Sequence, residues 1–117
     1  MNLINLTPHP VNLLNEQDET ILTLPGHPNP PRLKQSDVVT GHFQVFEEQT
    51  STVISVPLSS TQFGEIQNLP DEVKGTLLIV SRLVMTACPD RDDLIVPNQP
   101  VRDEKGRIVG CRSFAMI

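Results

Sequence analysis

The sequence predicts a mainly β (α+β) fold, a small antiparallel sheet or barrel-like domain with one short helix. Three observations carry that prediction. The apolar residues come in runs of four or five, as at residues 11–14, 20–24, 76–80 and 94–96, too short for an ordinary helix. Eleven prolines lie scattered between these runs, where they mark loops and strand ends. Only residues 81–88 combine a capping hydroxyl with apolar residues at helical spacing.

Taken in order, residues 11–14 and 20–24 read as two short strands joined by the polar turn Asn15-Glu16-Gln17-Asp18-Glu19. Residues 25–31 hold four prolines, which fix φ and delete donors, so this is an ordered loop. Residues 37–46 and 51–58, separated by Glu47-Glu48-Gln49-Thr50, form the strongest hairpin signal, because the second run is rich in β-branched side chains. Pro57 there suggests an edge or a strand end. Residues 59–69 are weakly patterned, and residues 70–75 read as a helical turn or loop ended by Gly75.

Thr76-Leu77-Leu78-Ile79-Val80 is a bare apolar run and reads as a strand buried on both faces. Ser81 stands where an N-cap would stand, and Arg82 to Cys88 would form two helical turns. Leu83, Val84, Ala87 and Cys88 would then share one face. Pro89 ends the helix. Leu94-Ile95-Val96-Pro97 is a further strand. Pro100-Val101-Arg102 and Arg107 to Cys111 flank Asp103-Glu104-Lys105-Gly106, a four-residue hairpin connection with glycine at the left-handed position. With 117 residues, no internal repeat at a fixed period and no visible domain boundary, one domain over residues 1–117 is expected.

The net charge is −5, which argues against general nucleic-acid binding, since such proteins carry a basic excess. The charge is uneven. Residues 1–80 hold three basic and nine acidic side chains, a net of −6, whereas residues 81–117 hold six basic and five acidic, a net of +1. Five of the six arginines fall in that last third. The start of the chain lacks the basic and apolar regions of a signal peptide, and no apolar run approaches the ~20 residues that span a bilayer. A cytoplasmic protein with two reduced thiols, Cys88 and Cys111, is expected.

Several segments also occur together in a recognisable order. They are Asn5-Leu6-Thr7-Pro8-His9-Pro10-Val11, Gly75-Thr76 to Ser81, Arg91 to Leu94, and Val101 to Cys111. In that order they resemble a group of small phage, prophage and bacterial proteins with no assigned activity. Those proteins begin with an Asn-Leu-Thr-Pro-His segment and carry an Arg-Asp-Asp-Leu turn and a closing Val-Arg-Asp hairpin that ends in Gly-Cys. The resemblance covers both ends and the last third, while residues 25–65 have no counterpart. It implies a phage setting (the host cytoplasm, if the protein is phage-encoded) and, by association, an accessory or anti-defence role.

Arginine is the side chain best shaped to grip phosphate or carboxylate. Arg82, Arg91 and Arg102 each adjoin a strand or helix end, where they could converge on an anion. The competing reading pairs them with Asp92, Asp93 and Asp103 as scaffold. Asn5, Thr7 and His9 surround a fixed turn and are candidate ligand contacts, although the same side chains serve as turn-capping groups. His9, His27 and His42 share no metal-ligand spacing, and no cofactor is implied. Asp90-Arg91-Asp92-Asp93 reads as a self-neutralising turn more readily than as a cation site. Ser81 lacks a nucleophile elbow and suits a cap.

A non-enzymatic binding protein is therefore expected. Its partner would be an anionic small molecule such as a nucleotide, held by Arg82, Arg91, Arg102, Asp92 and the Asn5-Thr7-His9 segment, or a host protein. Homo-oligomers are expected from the short strands and small size. The alternative is a small hydrolase or transferase using His9 with Asp92 or Asp93.

Overall fold

The structure is a computed structural model that describes residues 1–116. It is built mainly of strands with one short helix. The chain divides into two compact units, residues 1–32 with 66–117, and residues 33–65. No helix among the described residues is long and apolar enough to cross a membrane.

The first unit is a six-stranded mixed sheet. Its strands are β1 (Asn2–Asn5), β2 (Val11–Leu14), β3 (Thr20–Leu24), β6 (Thr76–Ile79), β7 (Leu94–Arg102) and β8 (Ile108–Ala115), in the order β1-β6-β7-β8-β2-β3. The two hairpins expected from the sequence are present, β2 with β3 and β7 with β8, both antiparallel. The sheet also holds parallel pairs that local patterning does not foresee: β1 with β6, β6 with β7, and β2 with β8. Parallel neighbours need a crossover. For β6 and β7 it is supplied by the segment that holds helix α1 (Arg82–Ala87).

β6 is an inner strand, between β1 and β7, and is apolar on both faces, as its bare run predicts. Leu78 and Val80 join Leu6, Leu94, Val96 and the helical Val84 and Met85 in one core cluster. Ile79 points the other way and meets Val11, Ile95 and Cys111 in a second. Alternating side chains of one strand thus feed two cores. β7 runs on past Pro97 to Arg102 instead of ending there. Its pairing with β8 keeps one register from Val96↔Ala115 to Val101↔Gly110, past Gln99 with φ 54°, and shifts only between Val101 and Arg102.

Ser81 caps the helix, its hydroxyl accepting from the Val84 amide at 3.3 Å. The expected apolar face is corrected by one position. Val84 and Met85 are buried, whereas Leu83 and Ala87 are exposed. A helix of six residues presents less than two turns, so placement of its first turn against Leu78 and Leu94 decides its inner face rather than its periodicity. Residues 70–75 form a loop without a helical turn.

Gly106 has φ 80° in the β7–β8 turn, as the hairpin requires. Gly110 has a different reason. A Cβ there would lie 2.8 Å from the Asn12 carbonyl oxygen and 3.0 Å from Leu14 Cγ, so its bare backbone lets β8 lie close to β2.

The second unit is a two-stranded sheet of β4 (Arg32–Glu47) and β5 (Thr52–Gln67), joined by a turn in which Ser51 has φ 55°. The hairpin lies where the sequence places it, but both strands are far longer. Pro57 stands in the middle of β5, and the weakly patterned residues 59–67 are strand. Each strand has only one neighbour, so a proline can sit mid-strand where no partner asks for its missing amide.

Candidate functional site

A groove of about 630 Å³ runs across three adjacent strands, β7, β8 and β2, within the usual range for small-molecule sites. Pro10 and Val11 of the β2 end, Pro97 and Pro100 of β7, and Ile108 and Val109 of β8 give it apolar walls. Its polar groups are Arg82, Asn12 and Asn98, and it contains no acidic residue. The protein is acidic overall, yet this groove carries one positive charge.

Arg82 comes to the groove because β6 ends at Ile79 and α1 starts directly after the Ser81 cap. Its guanidinium has no hydrogen bond or ion pair among the described residues. The other four arginines of the last third are engaged. Arg91 forks onto Asp93, with Nε to Oδ1 at 2.8 Å and Nη2 to Oδ2 at 2.7 Å, and Nη2 also donates to the Pro70 carbonyl at 3.0 Å. Arg102 donates to the Gly106 carbonyl at 2.7 Å. Arg107 lies 3.4 Å from Asp103, and Arg112 pairs with Asp18 in the β2–β3 turn. Arg82, Arg91 and Arg102 therefore do not share one cavity: Arg91 lines a second, smaller hollow with Cys88 and Asp92, and only Arg82 lines the groove.

Two further groove features have no signal in local patterning. The Asn98 side chain makes no hydrogen bond among the described residues, unlike Asn12, which donates to the Val109 carbonyl and accepts from Thr23. Gln99, between the groove residues Asn98 and Pro100, holds φ at 54°. For a residue with a Cβ that costs on the order of 1 kcal/mol, and such strain collects at functional sites.

The Asn5-Thr7-His9 segment lies outside the groove lining. Asn5 is buried, and its amide donates to the carbonyls of His9 at 2.8 Å and Pro25 at 3.1 Å. Its Oδ1 accepts from the Thr7 amide at 3.0 Å and the Thr7 hydroxyl at 2.6 Å. These bonds tie the β1–β2 loop to the loop after β3. The His9 ring is exposed, and its side chain makes no hydrogen bond among the described residues.

Asp93 is buried, and the hydrogen bonds from Arg91 hold its carboxyl below the usual carboxylate range, while desolvation works the other way. The same pairing raises the Arg91 guanidinium further. Asp93 is thus a committed partner rather than a base. Asp92 is exposed and lines the smaller hollow, and no described cavity is lined by both His9 and Asp92. Burial pushes the Cys111 thiol of the groove upward, which keeps it protonated and poorly nucleophilic. Among the described residues no three His, Cys, Asp or Glu side chains gather around a common point.

Comparison of the chain with protein-family models, with curated proteins and with solved structures gives no match.

Proposed function

We propose that this is a non-enzymatic binding protein that takes an anionic small molecule, of the size of a nucleotide, in the β7–β8–β2 groove. The observation that carries the reading is Arg82. It is the one arginine of the last third without a hydrogen-bond or ion-pair partner among the described residues, and it lines the β7–β8–β2 groove. A guanidinium held beside an apolar groove offers paired donors to a phosphate. The proline and valine walls suit a flat apolar body, and the Asn98 amide can both donate and accept at its edge. Stacking on tryptophan or tyrosine is not available, because the chain has neither. The sequence resemblance adds the setting: an accessory or anti-defence factor in the host cytoplasm, sequestering its ligand rather than converting it. Two free cysteines suit that compartment.

Titration calorimetry against a panel of linear and cyclic nucleotides tests the reading. The wild type binds at least one member. Arg82→Ala weakens that binding at least tenfold, and its melting temperature stays within about 1 °C, since Arg82 makes no hydrogen bond or ion pair among the described residues. Absence of binding across the panel, together with no retained anion in mass spectra of the purified protein, overturns the reading.

A further inference from the structure

The β4–β5 hairpin is at odds with its own surroundings. A two-stranded ribbon is at best marginally stable alone in water, because it lacks a second layer to bury its apolar side chains. This one is 16 residues long in each strand, or roughly 54 Å. Its large apolar side chains stand in solvent: Val39, Phe43, Ile54, Leu58 and Phe63 are between 47% and 55% exposed, and Val53 is 65% exposed. Both faces carry them. Along β4, Val39 and Phe43 alternate with Val38 and Phe46, and along β5 Val53 and Phe63 alternate with Ile54 and Leu58.

The charge pattern is equally specific. No Asp, Glu, Lys or Arg occurs in residues 38–46 or 52–64, and the unit's charges, Lys34, Asp37, Glu47, Glu48 and Glu65, lie toward its two ends. A charge-free centre inside a charged rim is the composition of a protein–protein interface core.

We propose that this hairpin is a self-association arm whose occupant is the same hairpin of a second copy of this chain. Three observations select a second copy. First, the area suffices. A ribbon of roughly 54 by 10 Å offers about 500 Å² per face, so pairing two copies hides about 1,000 Å², where specific interfaces begin. Second, the protein carries a net charge of −5 and repels its own copies over charged surface, but the centre of the arm sets no charge against a copy. Third, one face of the ribbon carries Val39 and Phe43 with exposed apolar neighbours, so two copies stacked on that face about a two-fold axis set the same side chains against each other, the geometry of a closed contact.

Sedimentation velocity with interference optics, needed because the chain has no Trp or Tyr, tests this on the full chain. The wild type sediments at twice 13.0 kDa or a higher even multiple at micromolar concentration. The double variant Phe43→Glu/Val45→Glu sediments at the single-chain mass, and Ile21→Glu, a charge placed on an exposed apolar residue of the other unit, keeps the wild-type mass. Hydrogen exchange supplies a second measurement that does not depend on how the variant folds: wild-type β4 and β5 amides gain protection as concentration rises. A wild type that stays at 13.0 kDa, or becomes larger only when a different protein is added, overturns the proposal. Loss of association in Ile21→Glu as complete as in the double variant overturns it as well.

Discussion

Replacing Asn5 by alanine removes a side chain that sequence patterning offers as a ligand contact and that the fold uses as a clasp. The structure sets the size of the loss. Asn5 is 6% exposed, and four well-formed hydrogen bonds run through its amide, to the His9 and Pro25 carbonyls and from the Thr7 amide and hydroxyl. The Thr7 hydroxyl can turn to the His9 carbonyl, 3.0 Å away, so one lost bond is recovered. At about 1 kcal/mol net for each of the remaining three, Asn5→Ala costs about 3 kcal/mol, and at roughly 4 °C per kcal/mol for a chain of this size the melting temperature falls by about 12 °C.

Asn5→Asp sharpens the test. It keeps the acceptor for Thr7 but turns a carboxylate oxygen toward the His9 and Pro25 carbonyls, so at neutral pH it is more damaging than alanine. Protonation restores a donor. The folded-state pKa of that aspartate therefore lies above the unfolded value of about 3.9. Its stability is complete below the unfolded pKa and is lost as pH rises through the folded one, so the Asp variant gains on the Ala variant as pH falls toward 4. Urea unfolding followed by far-ultraviolet circular dichroism measures both. An alanine variant that loses less than about 1 kcal/mol, or an aspartate variant as stable as wild type at pH 7, refutes the clasp.

Arg91→Ala strands the buried Asp93 carboxylate and costs about 3 kcal/mol, the low end for a broken buried pair because Arg91 is partly exposed. Asp93 has its folded pKa depressed, so the stabilisation from the pair is present above about pH 3.9 and is lost as pH falls through the folded value. Asp93→Asn accordingly shows a flatter stability profile than wild type below pH 4 in urea melts, and parallel profiles would contradict this. Gly110→Ala forces β8 away from the Asn12 carbonyl and costs about 2 kcal/mol by overpacking; an unchanged melting temperature would show that β8 and β2 yield freely there.

Local chemistry made several features legible. Residues 76–80 announced a strand buried on both faces because nothing polar interrupts them, and that strand feeds both core clusters. Asp103 to Gly106 announced a turn through a glycine that takes φ 80°. Ser81 announced a cap, and it caps. The parallel pairs were not legible, because a strand's own alternation is the same whichever way its neighbour runs. Length was misjudged in β4 and β5 because Pro57 and the polar residues 59–67 weaken a strand signal that an open two-stranded ribbon tolerates.

The arginine cluster marks the same boundary. The sequence by itself determined a β-rich chain, its hairpins and cap, and an excess of guanidinium groups in the last third. Only the tertiary structure decided what each of them does, because an arginine's role depends on which acids and carbonyls come within about 3 Å, and those lie far away in sequence. Asp18 is brought to Arg112 by the β2–β8 pairing. Pro70 is brought to Arg91 from before β6. Arg82 is left beside the groove because β7, β8 and β2 bring prolines, valines and asparagines there and no carboxylate.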